Sequence, residues 1–212
     1  MSPEPADPPL PADRFEAFLR ERCAALGIED STAFPKLARY LEELDAWRRR
    51  MNLTGRLSAE ELAQHALESL AANALIPHGE RLVDIGSGAG LPGMPIAIAR
   101  DDLEVSLVEP RGKRAAFLRH IARALDLRRV DVLEKRSEEV GGQTFGVATS
   151  RAVGNLSETI GEAPFLRPGG LLLLWTTDEA SQELPPAHWR REKVLPIASS
   201  NQRTVAAFRK LD

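Results

Sequence analysis

Two carboxylates frame the one stretch of this chain whose residue types and spacing point directly to a ligand. Between Arg81 and Gly93 the sequence reads RLVDIGSGAGLPG. Asp84 sits near the end of a short apolar run, directly before the glycines Gly86, Gly88, Gly90 and Gly93. Glu109 closes the next apolar run, roughly 20 residues on, the spacing of the acidic residue in nucleotide-binding βαβ units. Glycine permits positive φ and lets a ligand approach the backbone. Pro92 and Pro95 suit the opening turn of a helix, where a missing N–H goes unused. Strand, glycine turn and helix start together make the first unit of a nucleotide-type site.

Two ligands compete for it. Gly88 to Gly93 matches the G-x-G-x-x-G dinucleotide fingerprint, but the match begins three residues beyond the strand, late for the usual turn. A carboxylate at Asp84 would also repel a pyrophosphate. S-adenosylmethionine has no phosphate; its ammonium and sulfonium are favoured by a nearby carboxylate. The register Asp84-Ile85-Gly86-Ser87-Gly88-Ala89-Gly90 therefore points to that cofactor, with Glu109 placed to accept hydrogen bonds from ribose hydroxyls. The bland alternative is a structural glycine turn beside a surface glutamate.

The remaining charge is local. The chain has 212 residues and a formal net charge of −3, which does not mark an overall nucleic-acid binder. From Arg111 to Arg136, however, nine Lys/Arg face three Asp/Glu, a local net of +6. Arg111, Lys113 and Arg114, beside the glycine stretch, are candidate RNA phosphate contacts. The later arginines, Arg119, Arg123, Arg128 and Arg129, read equally well as a solvated helix face. The single cysteine, Cys23, excludes an internal disulfide and fits a reducing cytoplasm. No apolar run approaches the ~20 residues that span a bilayer, and no metal-ligand motif appears.

The elements that must position these residues fall into two parts. The first twelve residues hold five prolines and read as a flexible tail, not a signal peptide. Three helices follow: one from an Asp13/Glu16 capping box to Gly27, one from about Phe34 to Arg50, and one from a Ser58/Glu61 capping box to about Leu75. Phe34, Leu37, Ala38, Leu41, Leu44 and Trp47 keep helical spacing on one face, so Phe34 and Trp47 read as core. From Arg81 strands and helices alternate, which predicts a parallel sheet covered on both faces. The expected strands are Leu82–Ile85, Glu104–Glu109, Val130–Glu134, Phe145–Ser150 and Gly170–Trp175, with two more at Val194–Ile197 and Thr204–Phe208. A helix is expected over Gly112–Leu125, and Pro168-Gly169-Gly170 reads as a turn.

Asp84 to Pro95, DIGSGAGLPGMP, resembles the first motif of the glucose-inhibited division protein B family, bacterial 16S ribosomal RNA guanine-N7 methyltransferases. Further stretches match in order. Trp47 with Asn52-Leu53-Thr54 is similar to the family's W…NLT. His65 to Leu70 resembles its H-x-x-D-S-L, with Glu68 for Asp. Glu109 to Arg114 with Phe117-Leu118 resembles its acidic-x-x-G-K-R…F-L. Arg136 to Glu139 and Ser150-Arg151-Ala152-Val153 match two later motifs. The resemblance implies an α/β, Rossmann-like S-adenosylmethionine-dependent methyltransferase fold, a seven-stranded, mostly parallel sheet with a helical N-terminal extension. Residues 13–78 would form the cap and 79–212 the cofactor-binding domain, in one compact unit. It carries cofactor roles onto Gly86 and Leu91, onto Ser137-Glu138 beside the adenine, and onto Arg151 at the carboxyl edge of the sheet. One departure stands out. The family closes its fifth strand with Lys-Gly, where this chain has Trp175-Thr176-Thr177, so a cation near the site is missing.

The implied reaction is methylation of N7 of one guanine in 16S ribosomal RNA, free or in the small ribosomal subunit. N7 carries a free lone pair at neutral pH, so no general base is required; orientation and site polarity suffice. Asn52, His65, Ser69 and Arg151 are candidates to orient the base, and His65 can equally well cap and pack within the helices. The sequence also lacks other chemistries: Cys23 lies far from the sheet motifs, and no Asn/Asp-Pro-Pro-aromatic motif follows the fourth strand. The rivals are an enzyme acting on another nucleobase or a small molecule, a non-catalytic cofactor-binding module of ribosome assembly, and an NAD-dependent oxidoreductase. Nothing in the sequence demands more than a cytoplasmic monomer without metal.

Overall fold

In a computed structural model the sheet has seven strands in the order β3-β2-β1-β4-β5-β7-β6. The structure describes residues 9–29, 32–51, 53–55, 57–141, 145–151, 163–177, 188–198 and 203–211. The strands are β1 (Arg81–Ile85), β2 (Glu104–Val108), β3 (Val130–Leu133), β4 (Phe145–Arg151), β5 (Leu166–Thr177), β6 (Trp189–Pro196) and β7 (Arg203–Lys210). The first five run parallel, and β7 lies antiparallel between β5 and β6. The helices are α1 (Ala12–Cys23), α2 (Phe34–Arg48), α3 (Ala59–Ser69), α4 (Gly93–Ala99) and α5 (Gly112–Ala124).

This order puts the site where parallel sheets bind ligands. β1 leads outward through β2 to β3; the chain then returns to place β4 on the other flank of β1. The direction reverses between β1 and β4, and a crevice opens outside the strand ends at such a point.

Strand alternation divides the core. Leu82, Val105, Leu107, Val147, Leu171, Leu173 and Trp175 join one cluster with side chains from all five helices, including Phe15, Leu19, Phe34, Tyr40, Leu41 and Phe117. Val83, Ile85, Ala148, Leu172 and Leu174 point to the other face, where Val140, Ala163, Phe165 and Trp189 cover them among the described residues. The N-terminal helices thus share a continuous core with the sheet. Each fully buried Leu or Phe there contributes about 1.5–3 kcal/mol.

Local expectations meet mixed outcomes. Ser58 caps α3 as expected: its hydroxyl accepts from Glu61 N while the Glu61 carboxylate accepts from Ser58 N. α1 instead begins behind Pro11 with no side-chain cap, and Glu16 turns to Arg20 one turn later. The helix starts one residue before Asp13, which therefore lies inside its first turn, and the Ala12 amide donates to Glu42 Oε1 of α2 (3.2 Å). α3 ends at Ser69 rather than near Leu75, followed by a separate 3₁₀ turn at Asn73–Leu75. The expected turn at Pro168-Gly169-Gly170 lies within β5: Phe145 pairs with Leu166 but Val147 with Leu171, so the intervening residues bulge out. No described helix is long and apolar enough to cross a membrane.

Candidate active site

The glycine loop is held by its own backbone. The amides of Gly86 and Ser87 both donate to the Val108 carbonyl at the end of β2, each at 3.0 Å. Gly88 N donates to Glu109 Oε2 (3.0 Å), Gly90 N to the Ser87 carbonyl (2.7 Å) and Gly93 N to Asp84 Oδ2 (3.3 Å). These amides are therefore spent inside the protein. A phosphate cradle needs free N–H groups converging on the ligand, and the loop keeps none at Gly86, Ser87, Gly88, Gly90 or Gly93. The donor set fits a phosphate-free cofactor.

Two glycines are dictated by this geometry. Gly90 has φ +102°, a conformation L side chains rarely adopt. A Cβ on Gly93 would stand 2.7 Å from Asp84 Oδ2 and 2.5 Å from Leu107 Cδ2, so only hydrogen fits as α4 starts against the sheet.

Asp84 lies beneath the loop instead of standing open to a ligand. It is fully buried; Thr149 Oγ1 donates to its Oδ1 (2.7 Å), and the Ser87 hydroxyl donates to its main-chain oxygen (2.9 Å). Burial pushes its carboxyl up to about 6, against the hydrogen bonds from Thr149 and Gly93 that hold it down. Glu109 is likewise nearly buried, accepting from Gly88 N and from Arg111 N (2.9 Å). Both carboxylates clamp the loop, because backbone amides without other acceptors draw them in. Each Glu109 oxygen keeps a second lone pair.

Beside the loop a cleft of about 490 Å³ opens over the ends of β1 and β2. Ile85, Gly86, Val108, Pro110, Arg111, Arg136, Ser137 and Glu138 line it. It thus joins Gly86 to Ser137-Glu138, which sit on a 3₁₀ turn after β3 and are 51 residues away in sequence. Leu91 is half-buried and packs against the larger core cluster.

A second cavity, about 300 Å³, lies at the ends of β4 and β5. Its lining is Glu68, Arg151, Trp175, Thr176, Thr177, Ile197 and Arg203. The sequence reads Glu68 only as part of a motif; its meeting with Arg203 is a product of the fold. Glu68 Oε2 stands 3.0 Å from both His65 Nδ1 and Arg203 Nη1, and Gln64 Nε2 donates to Oε1 (3.3 Å). Trp175 Nε1 donates to the Glu68 carbonyl (2.8 Å). Arg203 Nη1 also lies 2.8 Å from His65 Nδ1. That nitrogen accepts from Arg203 or donates to Glu68, not both at once. Arg203 pairs with Thr177 across the β5–β7 ladder and lines the same cavity.

Arg151 lines this cavity. It pairs with Trp175 in the β4–β5 ladder. Burial lowers its guanidinium's affinity for the proton, partly offset by Glu68. Its Nη1 is buried without a hydrogen-bond partner among the described residues. Tyr40 ties the cap to the loop: its hydroxyl donates to the Ala89 carbonyl (2.9 Å), and burial raises its own pKa.

The other expected residues separate. Asn52 lies outside the described residues. Ser69 is fully buried and its hydroxyl donates to the His65 carbonyl one turn back. Lys113 and Arg111 are exposed, whereas Arg114 is half-buried, with Nη1 3.8 Å from where a Cβ on Gly88 would be. Arg119, Arg128 and Arg129 pair with Glu134, Asp126 and Glu104. Arg48 and Arg49 hold the buried Asp45. Trp47 packs against Phe117 and His120, and Phe34 is fully buried, both as core.

Known proteins share this fold. A methyltransferase structure from Geobacter sulfurreducens superposes with a TM-score of 0.60 at 17% identity, covering 94% of this chain and 96% of that one. A SAM dependent methyltransferase from Aquifex aeolicus gives 0.54 at 14% identity, covering 63% and 84%. These establish the fold. In sequence, the chain is 42% identical over 198 residues to Ribosomal RNA small subunit methyltransferase G of Sorangium cellulosum, spanning 89% of this chain and 82% of that protein. The family model GidB, rRNA small subunit methyltransferase G, matches residues 33–205, from the start of α2 into β7 and so across the loop and both cavities. The chain belongs to the GidB family of small-subunit rRNA methyltransferases.

Proposed function

We propose that the protein methylates N7 of one guanine in the RNA of the small ribosomal subunit, with S-adenosylmethionine as donor. The observation that carries the cofactor assignment is the loop whose amides are already spent over a buried carboxylate. It favours a cationic, phosphate-free ligand. Gly86, Ser87, Gly88 and Leu91 would form the floor, Ser137 and Glu138 the adenine end, and Glu109 the ribose edge through its remaining lone pairs. Asp84 acts from beneath, by charge and by fixing Gly93.

When bound, the cofactor supplies a methyl group on a positively charged sulfur. Guanine N7 accepts it without prior deprotonation, so no side chain has to serve as a base. The protein's task is orientation and charge placement. Arg151 and His65 flank the strand ends where the acceptor would enter; Ser69, buried and bonded within its helix, supports α3 instead. Arg111 and Lys113 offer exposed charge to phosphates. A monomer suffices for this reading.

Chemical cleavage at 7-methylguanine tests it. Ribosomal RNA from a deletion strain is expected to lose one small-subunit cleavage that the restored gene brings back. An identical pattern in both strains would refute the assignment.

A further inference from the structure

We propose that the outer edge of the sheet, β6 with the end of β7, is a second contact surface for ribosomal RNA and takes its phosphate backbone. This rests on the function proposed above: it adds an anchor for the same RNA, remote from the crevice where the chemistry occurs.

The charge there is dense and one-sided. Residues 188–193 and 209–211 carry five Lys/Arg and one acidic residue, Glu192. The two stretches lie apart in the chain, and antiparallel pairing joins them, with Trp189 opposite Lys210 and Arg190 opposite Arg209. The register then shifts. Arg191 stands opposite Phe208 and Lys193 opposite Ala207, so Glu192 is the extra residue of a bulge. Side chains directly opposite share a face of the sheet. Ala207 belongs to the core cluster under the helices and Phe208 to the other cluster. By alternation Arg209 lies on the Ala207 side. The bulge therefore brings Lys193 to the face that carries Arg190 and Arg209, and leaves Arg191 on the other. Arg190, Arg191 and Lys193 are all exposed.

Edge protection alone does not account for this arrangement. Charge on an outer strand discourages pairing with another chain, but that requires charge on β6 only. Here Arg209, on the inner strand, faces Arg190, and like charges in opposed positions destabilise a sheet. One carboxylate serves both: Glu192 accepts from Arg190 Nη2 (3.1 Å) and from Arg209 Nε (3.2 Å) and Nη2 (2.8 Å). Arg190, Lys193 and Arg209 against Glu192 leave a local surplus of +2, which suits a polyanion. The position suits a large one. Thr177, beside the cavity at the strand ends, lies opposite Arg203, and Leu171 lies opposite Arg209. From Leu171 to Thr177 is about 20 Å of strand. A small substrate held in the crevice does not reach the patch, whereas a ribosomal RNA does.

The test compares wild type with Arg190→Gln/Lys193→Gln and with a control for net charge, Arg14→Gln/Arg128→Gln, which removes two exposed cations elsewhere. Binding to small ribosomal subunits is titrated across a salt series, cofactor affinity is measured by calorimetry, and methyl transfer is followed as 7-methylguanine. The edge variant is expected to bind subunits about 10-fold more weakly near physiological salt, and to flatten the slope of log affinity against log salt by about 1.4–1.8, as for two lost phosphate contacts. Its KM for subunits should rise by a similar factor, with kcat and the dissociation constant for S-adenosylmethionine unchanged. Arg190→Lys keeps the charge and should keep the slope. The control should match wild type. Three results would overturn the inference: an edge variant with wild-type affinity and slope, an equal loss in the control, or an equal weakening of cofactor binding. The first of these, together with increased light scattering, would assign the cations to edge protection alone. If wild-type protein forms no 7-methylguanine in any subunit, the proposed function fails instead; if it does and the edge variant binds as wild type, only this inference fails.

Discussion

Asp84 shows how far a residue's setting can depart from what its type suggests. In sequence it is a carboxylate at a strand end, apparently free to greet a cation. In the fold it is sealed below the loop with Thr149 and Gly93 on its two oxygens. Its pH behaviour follows from that burial. The folded carboxyl titrates at about 6 against 3.8 for the ordinary group. A raised folded value means the stabilising contribution is present below 3.8 and is lost as pH rises through 6. The whole change is about 3 kcal/mol. In urea unfolding, wild type minus Asp84→Asn is expected to fall by roughly 2 kcal/mol between pH 4 and 7.5. A difference constant across that range would mean Asp84 ionises as in water.

Elements decide what the loop can do. α2 brings Tyr40 to the Ala89 carbonyl, 49 residues away, and α3 brings Glu68 to β7. Neither contact is written in a local motif. Helical periodicity identified Tyr40's helix, but Tyr40 itself was one more residue on a helix mostly read as packing. Tyr40→Phe leaves a buried carbonyl unpaired, a cost of about 1–3 kcal/mol. The expected result is a several-fold rise in the dissociation constant for S-adenosylmethionine together with a lower melting temperature. A lower melting temperature with unchanged cofactor affinity would make Tyr40 a core residue without influence on the loop. The capping boxes teach a similar lesson. Ser58 and Glu61 cap each other at the start of α3, whereas α1 starts one residue before Asp13 and leaves it inside the helix.

At the scale of the molecule, the +6 stretch proves uneven. Arg119, Arg128 and Arg129 are engaged by acidic neighbours, Arg114 leans toward the glycine loop, and Lys113 faces outward. The cofactor and RNA roles of this segment should therefore separate. Lys113→Ala is expected to flatten the slope of log affinity for rRNA against log salt by about 0.7–0.9, with cofactor affinity intact. Arg114→Ala should instead weaken cofactor binding. Equal effects of both variants on both ligands would show that the segment acts as one unit.

Sequence alone determined the alternation of strands and helices, the loop and the family resemblance, because each depends on residues close together along the chain. β1 to β5 and α5 follow from apolar periodicity, and the loop from its glycines. Ser137-Glu138 came to the cofactor region through the resemblance, and the structure places it in the same cleft as Gly86. Tertiary structure alone decided which charges are buried and which line a cavity. Asp84 and Glu109 became clamps because backbone amides needed acceptors. Ser69 turned inward onto its own helix. Arg203 on β7 comes to the end of β5, because antiparallel pairing sets Thr177 opposite it. Burial and cross-strand register depend on partners distant in sequence, and those partners meet only when the sheet closes.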